Sequence, residues 1–301
     1  MSLNSVNTNL GAMVALQSLN RTNEEMAATQ KRISTGSRVA DARDDGAAFA
    51  VAERIRGDLA ATTSANQQLG GAKGLLDTTR TGLENVSKAL QDVKATVVKL
   101  SDSNITPAQR EQYMAGLKET FSQIANFITD TRYNGQSMLV TAAAATAGGT
   151  TLGEIRTVRN GEGATYSFAK IATAAINGAA AFTGLTNVGY NGATMLTGAS
   201  LLAALTEFSN ALTTGGAVNV AINNTLTSLN NLGSYSRYVD SQINFNKAKM
   251  DAQEAGMGAL IDADLAKESA RLQSLQIRQQ LGSQALGIAN QAPQVLLSLF
   301  R

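Results

Sequence analysis

The sequence predicts a mainly α-helical protein. Its N- and C-terminal segments pair as a long helical coiled coil or bundle, with a small β-containing or irregular insert between them. Three observations carry this. Both ends of the 301-residue chain show 4-3 apolar spacing, the interior holds further amphipathic helices with start and stop signals, and the composition changes in the middle.

In the N-terminal arm, Ala12, Leu16, Leu19, Asn23, Met26, Gln30 and Ile33 step 4-3-4-3-4-3. In the C-terminal arm, Ile261, Leu265, Glu268, Leu272, Leu275, Gln279, Gly282 and Leu286 step 4-3-4-3-4-3-4. This is the a/d spacing of coiled-coil packing. Asn23, Gln30, Glu268 and Gln279 interrupt the seams, and polar seam residues weaken a coiled coil while setting its register. The arms therefore read as marginal helices that need partners. Residues 1–20 and 282–300 carry no charged side chain, and the chain ends on Val295-Leu296-Leu297-Ser298-Leu299-Phe300-Arg301. In water, an apolar run of this kind needs a cover.

Between the arms, Leu83, Val86, Leu90, Val93, Val97 and Leu100 step 3-4-3-4-3 and mark one helix. Thr106-Pro107-Ala108-Gln109 reads as an N-cap, a Pro in the first turn and a capping-box Gln. The helix it opens carries Met114, Leu117, Phe121, Ile124 and Ile128 on one stripe, and Tyr133-Asn134-Gly135 supplies the turn that ends it. Leu229, Leu232, Ser236, Val239 and Ile243 mark a long helix leading into the C-terminal arm. Residues 141–200 differ: 38 of those 60 are Ala, Gly, Thr or Ser. There, Thr151–Val158 and Ala164–Ile171 flank Asn160-Gly161-Glu162-Gly163 and predict a β-hairpin. The expected organisation is terminal arms at 1–40 with 256–301, a helical bundle at 41–140 with 205–255, and a small insert at 141–204.

Composition closes off most chemistry. The chain has no Cys, His or Trp. A disulfide framework, a thiolate nucleophile, a Cys-ligated metal and any Ser–His arrangement are thereby excluded. The net charge of +2 argues against a nucleic-acid footprint, and no apolar run is long enough for a membrane span. Residues 1–9 have neither a basic n-region nor an apolar h-region, so no cleavable secretory signal is expected there. Gly70-Gly71-Ala72-Lys73-Gly74 lacks the spacing and the Ser or Thr of a phosphate loop and reads as a glycine-tolerant helical stretch. Asp41, Asp44 and Asp45, with Asp262 and Asp264, read as solvated charges in local ion pairs with Arg38, Arg43 and Arg54. They do not form a metal loop, which needs convergent oxygens. Lys88, Lys94 and Lys99 read as the solvated face of their helix. No catalytic residue, cofactor or metal is expected.

Two distant sets of residues resemble bacterial flagellin, specifically the short flagellins. One comprises Ser2-Leu3-Asn4-Ser5-Val6-Asn7-Thr8-Asn9, Gln30 through Gly36, Asp41 through Ala47, and Tyr133-Asn134-Gly135. The other comprises Asp262 through Ser269, Ala289-Asn290-Gln291 and Leu296 through Arg301. The likeness covers roughly residues 1–140 and 205–301. The resemblance implies a subunit that polymerises with itself, or alongside other flagellins, into the extracellular flagellar filament used for swimming. It implies no enzymatic activity. It also implies export through the flagellar type III apparatus and, as partners, an export chaperone, a filament cap and hook–filament junction proteins. No nucleic acid or membrane is implied. Expected subunit-contact residues are Leu3, Leu10, Leu16, Leu19, Met26, Ile33, Leu265, Leu272, Leu275, Leu286, Val295, Leu296, Leu299 and Phe300. Many flagellins also carry a motif read by an animal Toll-like receptor, on the helix matching Gln91, Asp92, Val93, Lys94, Ala95 and Thr96. In the recognised version an Arg follows the Gln and a Glu-Leu pair follows the next basic residue. Here those positions are Asp92, Ala95 and Thr96, so weak receptor recognition is expected. A hook–filament junction protein and a flagellin-like surface adhesin are the alternatives.

Overall fold

The computed structural model describes residues 9–140, 153–173, 176, 199–213 and 215–299, excluding the side chains of 199–204 and 292–299. It is mainly helical. The described elements are α1 (Leu10–Thr35), α2 (Gly46–Leu100), α3 (Pro107–Asp130), β1 (Leu139–Val140), β2 (Glu154–Val158), β3 (Thr165–Ala169), β4 (Ile171–Ala172), α4 (Ala199–Leu212), α5 (Ala217–Ile261) and α6 (Leu265–Leu299). The chain divides into two compact units, Met1–Leu59 with Lys249–Arg301, and Ala60–Ala248. The helices α2 and α5 supply residues to both.

In the second unit, α2 buries a long heptad seam. Leu69, Leu76, Leu83, Leu90 and Val97 recur every seven residues, interleaved with Ala65, Thr79, Val86, Val93 and Leu100, and all are buried. The apolar stripe that starts at Leu83 in the sequence thus runs back to Ala65. The extension escapes a hydrophobicity count because Ala65, Ala72 and Thr79 fill its alternate positions. On α5, Val218, Thr225, Leu232, Val239 and Asn246 form an equally regular buried row. On α3, Met114, Leu117, Ile124 and Ile128 are buried as expected. Thr106 caps α3 with the full capping box, and Pro107 sits in the first turn.

The turn after α3 is set by local chemistry. Tyr133 and Gln136 exchange backbone hydrogen bonds, while Asn134 and Gly135 have φ of 48° and 75°. Two positive φ values in succession define a type I′ turn. The turn packs on glycines of α2. A Cβ at Gly74 would lie 2.7 Å from the Tyr133 ring, and one at Gly82 would lie 2.1 Å from the Thr131 hydroxyl. The glycine stretch therefore lies inside a helix that another segment approaches closely. Lys73, in the same stretch, pairs with Asp240 of α5, and that carboxylate holds its ammonium above the usual lysine range.

Strands β2 and β3 form the expected hairpin, with Ile155 opposite Phe168 and Thr157 opposite Tyr166. Both strands are shorter than the sequence suggests, and Thr151 and Leu152 lie outside the described residues. The hairpin has no core of its own. Phe168 is buried in the helical core and meets Tyr235 of α5 edge-on at 5.5 Å, while Tyr166 stacks on Tyr238 at 4.0 Å. The base of the hairpin turn is held by amides. Buried Asn246 donates to the Arg159 carbonyl at 2.9 Å and to Asn66 Oδ1 of α2 at 2.8 Å, and accepts from Gln242 at 3.0 Å. Beside the hairpin, β1 and β4 form a short parallel pair.

Hydroxyls inside this core are satisfied locally. Thr79 donates to the Leu75 carbonyl and Thr225 to the Ala221 carbonyl, each one turn back on its own helix. Burial of an unbonded hydroxyl would be unfavourable. Among the described residues, no helix is long and apolar enough to cross a membrane, and no metal-holding cluster of acidic residues occurs.

A candidate assembly surface on the paired terminal helices

The first unit is built on α1 and α6, which lie antiparallel. Asn9 donates to the Ala289 carbonyl at 2.7 Å, Leu19 sits beside Gly282, and Gln279 donates to Asn23 at 2.8 Å. Arg32 reaches Glu268 at 3.4 Å. Asn9 also caps α1 by accepting from the Ala12 amide, and Gly36 ends it in the left-handed conformation at φ 70°. The chain then crosses to the end of α5. The amides of Arg38 and Val39 donate to the Ile261 carbonyl, and the Ala263 amide donates to the Gly36 carbonyl. Val39, Ala52 and Ile261 bury a small core there.

The acidic residues of this region are caps and turn formers. Asp45 accepts from the Ala47 and Ala48 amides at the start of α2. Asp264 does the same for Ala266 and Lys267 at the start of α6. The expected arginine partners are replaced by a lysine: Lys31 lies 2.6 Å from Asp41 and 3.6 Å from Asp44. Arg38 instead donates to the Leu260 carbonyl. The reason is position, since Lys31, just before the last turn of α1, reaches the loop that follows. Its hydrogen bond holds the Asp41 carboxyl below the usual range, and the Ala40 amide does the same for Asp44. A carboxyl with a depressed folded-state pKa stabilises above the unfolded value and loses that contribution as pH falls through the folded one. Melting of the chain followed against pH is therefore expected to show a loss beginning below pH ~4. Asp41→Asn with Asp44→Asn should flatten it.

The C-terminal half of the helix pair follows the sequence pattern. Glu268 and Leu275 are buried, and Leu272, Gln279, Gly282 and Leu286 are half-buried along one face. Leu265, at the start of that spacing, is exposed. The N-terminal half differs by one residue at every second position. Ala12, Leu19, Met26 and Ile33 face α6 as expected, but Ala15, Thr22 and Thr29 take the places assigned to Leu16, Asn23 and Gln30. Small residues let α1 approach α6 closely, as Leu19 does at Gly282. Of the three displaced side chains, the apolar one, Leu16, is left exposed.

The outcome is a pair of helices with apolar side chains on two faces each. Leu10, Met13, Val14 and Leu16 on α1, with Leu265, Ile277, Leu281 and Ile288 on α6, are 48–69% exposed. By helical spacing, Ile277, Leu281 and Ile288 share a stripe opposite the inward seam. Met13, Val14, Ile277, Leu281 and Ile288 are absent from the sequence-based set. Their signal was a second spacing in the same helices, masked by the stronger one. Leu3 and Phe300, with the side chains of Val295, Leu296 and Leu299, lie outside the described residues.

Two family models match the chain: the bacterial flagellin N-terminal helical region over residues 6–144 and the C-terminal helical region over residues 216–300. Flagellin FljK of Caulobacter vibrioides is 35% identical over the whole of both chains. The chain belongs to the bacterial flagellin family. A flagellin of Brucella melitensis is 32% identical over 99% of each chain. A putative flagellar hook-associated protein from Vibrio parahaemolyticus shares the fold, with a TM-score of 0.58 at 14% identity over 73% of this chain and all of its own. In this flagellin, the segment matching the receptor motif lies on α2. Gln91, Asp92, Lys94 and Ala95 are exposed, Val93 is buried, and the Thr96 hydroxyl donates to the Asp92 carbonyl.

Proposed function

We propose that this flagellin polymerises by burying the outer apolar faces of α1 and α6 against further copies of itself. It is a structural subunit of the flagellar filament, and the filament is extracellular. The observation that carries the burial mechanism is the set of eight large apolar side chains left exposed on α1 and α6, seven of them off the seam that the two helices share among the described residues and Leu265 at its end. Burial of a large aliphatic side chain contributes roughly 1.5–3 kcal/mol, so covering this surface offsets much of the ordering of two helices. A contact that sets the α1 patch of one copy against the α6 patch of the next is heterologous. Such a contact repeated by a screw operation builds a filament. Leu3, Val295, Leu296, Leu299 and Phe300 extend the same apolar character to the chain ends and join Leu10, Leu16 and Leu265 as contacts between copies, whereas Leu19, Met26, Ile33, Leu272, Leu275 and Leu286 lie along the seam within one chain.

The role is mechanical and not catalytic. An export chaperone, a filament cap and hook–filament junction proteins are the further partners, and the flagellar type III apparatus is the route out. Arms that share so thin a seam suit passage through a narrow channel, because short helices are marginal without tertiary packing. In this reading residues 1–40 with 256–301 form the inner layer, 41–140 with 205–255 the next, and 141–204 face outward.

Electron microscopy of purified chain grown on short filament fragments tests the reading, beside a version lacking residues 282–301. Long filaments from the intact chain and none from the shortened one are expected. No growth from either would point to a junction protein or a self-contained bundle. The receptor assignment has its own test. Asp92 stands where recognised flagellins carry Arg, and reversing a contact charge repels a surface built for the original. Reporter cells are expected to respond weakly, and a response at the concentrations effective for recognised flagellins would overturn the assignment.

A further inference from the structure

Four charged side chains link α1 to α6. Arg32 faces Glu268 at 3.4 Å, and Glu25 faces Arg271 at 3.8 Å while also meeting Arg21 at 3.4 Å on its own helix. Along α1 the order is acid then base. Along antiparallel α6 the facing order is base then acid, so unlike charges meet at both levels.

As a source of stability this arrangement is poor. Glu25 and Arg271 are a third and a half exposed, and such pairs contribute little. Glu268 is 9% exposed, with one carboxylate oxygen lacking any hydrogen-bond partner. A buried, half-satisfied carboxylate is unfavourable unless it serves another end.

Its geometry points to that end. The contacts Asn9–Ala289, Leu19–Gly282 and Asn23–Gln279 fix the present register. From there, sliding α6 by about one helical turn brings Arg271 level with Arg32, given ~1.5 Å of rise per residue. Sliding it about two turns the other way brings Glu268 level with Glu25. Either slip sets like charges together on a seam whose remaining residues, apart from the Asn23–Gln279 amide pair, are small or aliphatic. Those residues discriminate weakly between registers that differ by whole turns.

We infer that Glu25, Arg32, Glu268 and Arg271 form a register code for the terminal helix pair, opposing slippage and not strengthening the seam. The code works by repulsion in the wrong registers, which is how a specific pairing excludes its near neighbours. It acts within one chain and goes beyond the assembly reading. It holds the pair fixed as a single rod, so that any sliding during changes of filament shape falls between rods of different copies.

The chain has no cysteine, so introduced pairs report register without background. A Cβ at Gly282 would lie 3.9 Å from that of Leu19, within disulfide range. Leu19→Cys with Gly282→Cys thus reports the present register, and Leu19→Cys with Leu286→Cys reports a slip of about one turn. Both are oxidised in the dilute full-length chain and after growth on filament fragments. Intrachain product is read on non-reducing gels. The parental charges should give the first cross-link and not the second. Exchanging Glu268→Arg with Arg271→Glu leaves composition and net charge unchanged but inverts the code. The first cross-link should then fall about tenfold or more while the second rises. Adding Glu25→Arg with Arg32→Glu should restore the parental pattern.

An unchanged pattern after the exchange would overturn the code. Failure of the four-residue exchange to restore the first cross-link would do the same, and this holds even if the two-residue exchange leaves the arms unpaired. So would absence of the first cross-link from the parental chain in both states. A parental pattern that holds in dilute chain without filament growth would count against the assembly reading and leave the code standing.

Discussion

Replacing Leu275 with Ala is expected to unzip α1 from α6 and abolish growth on filament fragments. Leu275 is 2% exposed, the most deeply buried apolar side chain described on either helix. Its apolar neighbours along the seam, Leu19, Met26, Ile33, Leu272 and Leu286, are only half-buried. A core Leu→Ala change typically costs 2–5 kcal/mol, about. In a large core that loss is absorbed, but a two-helix seam has little else to set against it. Cross-linking through Leu19→Cys and Gly282→Cys reads the pairing, and electron microscopy reads the growth. The melting of the Ala60–Ala248 unit should be unchanged, because that unit draws nothing from this seam. Growth at the parental rate would mean that the seam forms from contacts between copies and that Leu275 is incidental to it.

The second large effect lies in the other unit. Phe168→Ala should lower the melting temperature of that unit by on the order of 10 °C, from a loss of ~3–5 kcal/mol. Phe168 is 1% exposed, meets Tyr166 on its own strand edge-on and joins the hairpin to α5 through Tyr235. Edge-to-face rings add to the area they bury. Calorimetry of the full chain reads the shift. Growth on filament fragments at low temperature should persist, since the terminal seam is untouched. If growth and melting fall together, the two units are not energetically independent.

Where one side chain's chemistry decides the local structure, the sequence was enough. Thr106, Pro107 and Gln109 specify a helix start, and Asn134-Gly135 specifies a turn, with no help from the rest of the chain. Stripes of Leu and Val were legible for the same reason. Structure escaped the sequence where the partner makes the choice. Ala15 and Leu16 are adjacent, and hydrophobicity favours Leu16 as the inward residue. The close approach to α6 at Gly282 selects the smaller one instead. That single rotation placed Leu16 on the outer face and moved part of the candidate surface with it. Asn246 is a different case. It donates to Asn66 and to the Arg159 carbonyl and accepts from Gln242, and two of these partners are distant in sequence, so no local pattern marks it as a buried clamp. The capping roles of Asp45 and Asp264 were available from spacing alone, being carboxylates just before helices.

The hydroxyls buried along α2 and α5 have a mechanical consequence. Thr79 and Thr225 bond to carbonyls of their own helices, so each bond travels with its helix when a neighbour shifts. Small displacements between these rods rupture none of those bonds, and at the surface they meet the Lys73–Asp240 ion pair. Asn246 is the opposite kind of joint, because its bonds cross from α5 to α2 and to the hairpin. Shear within the unit is therefore resisted unevenly: stiffly at the amide joint, and compliantly along the stretches where threonine fills the core.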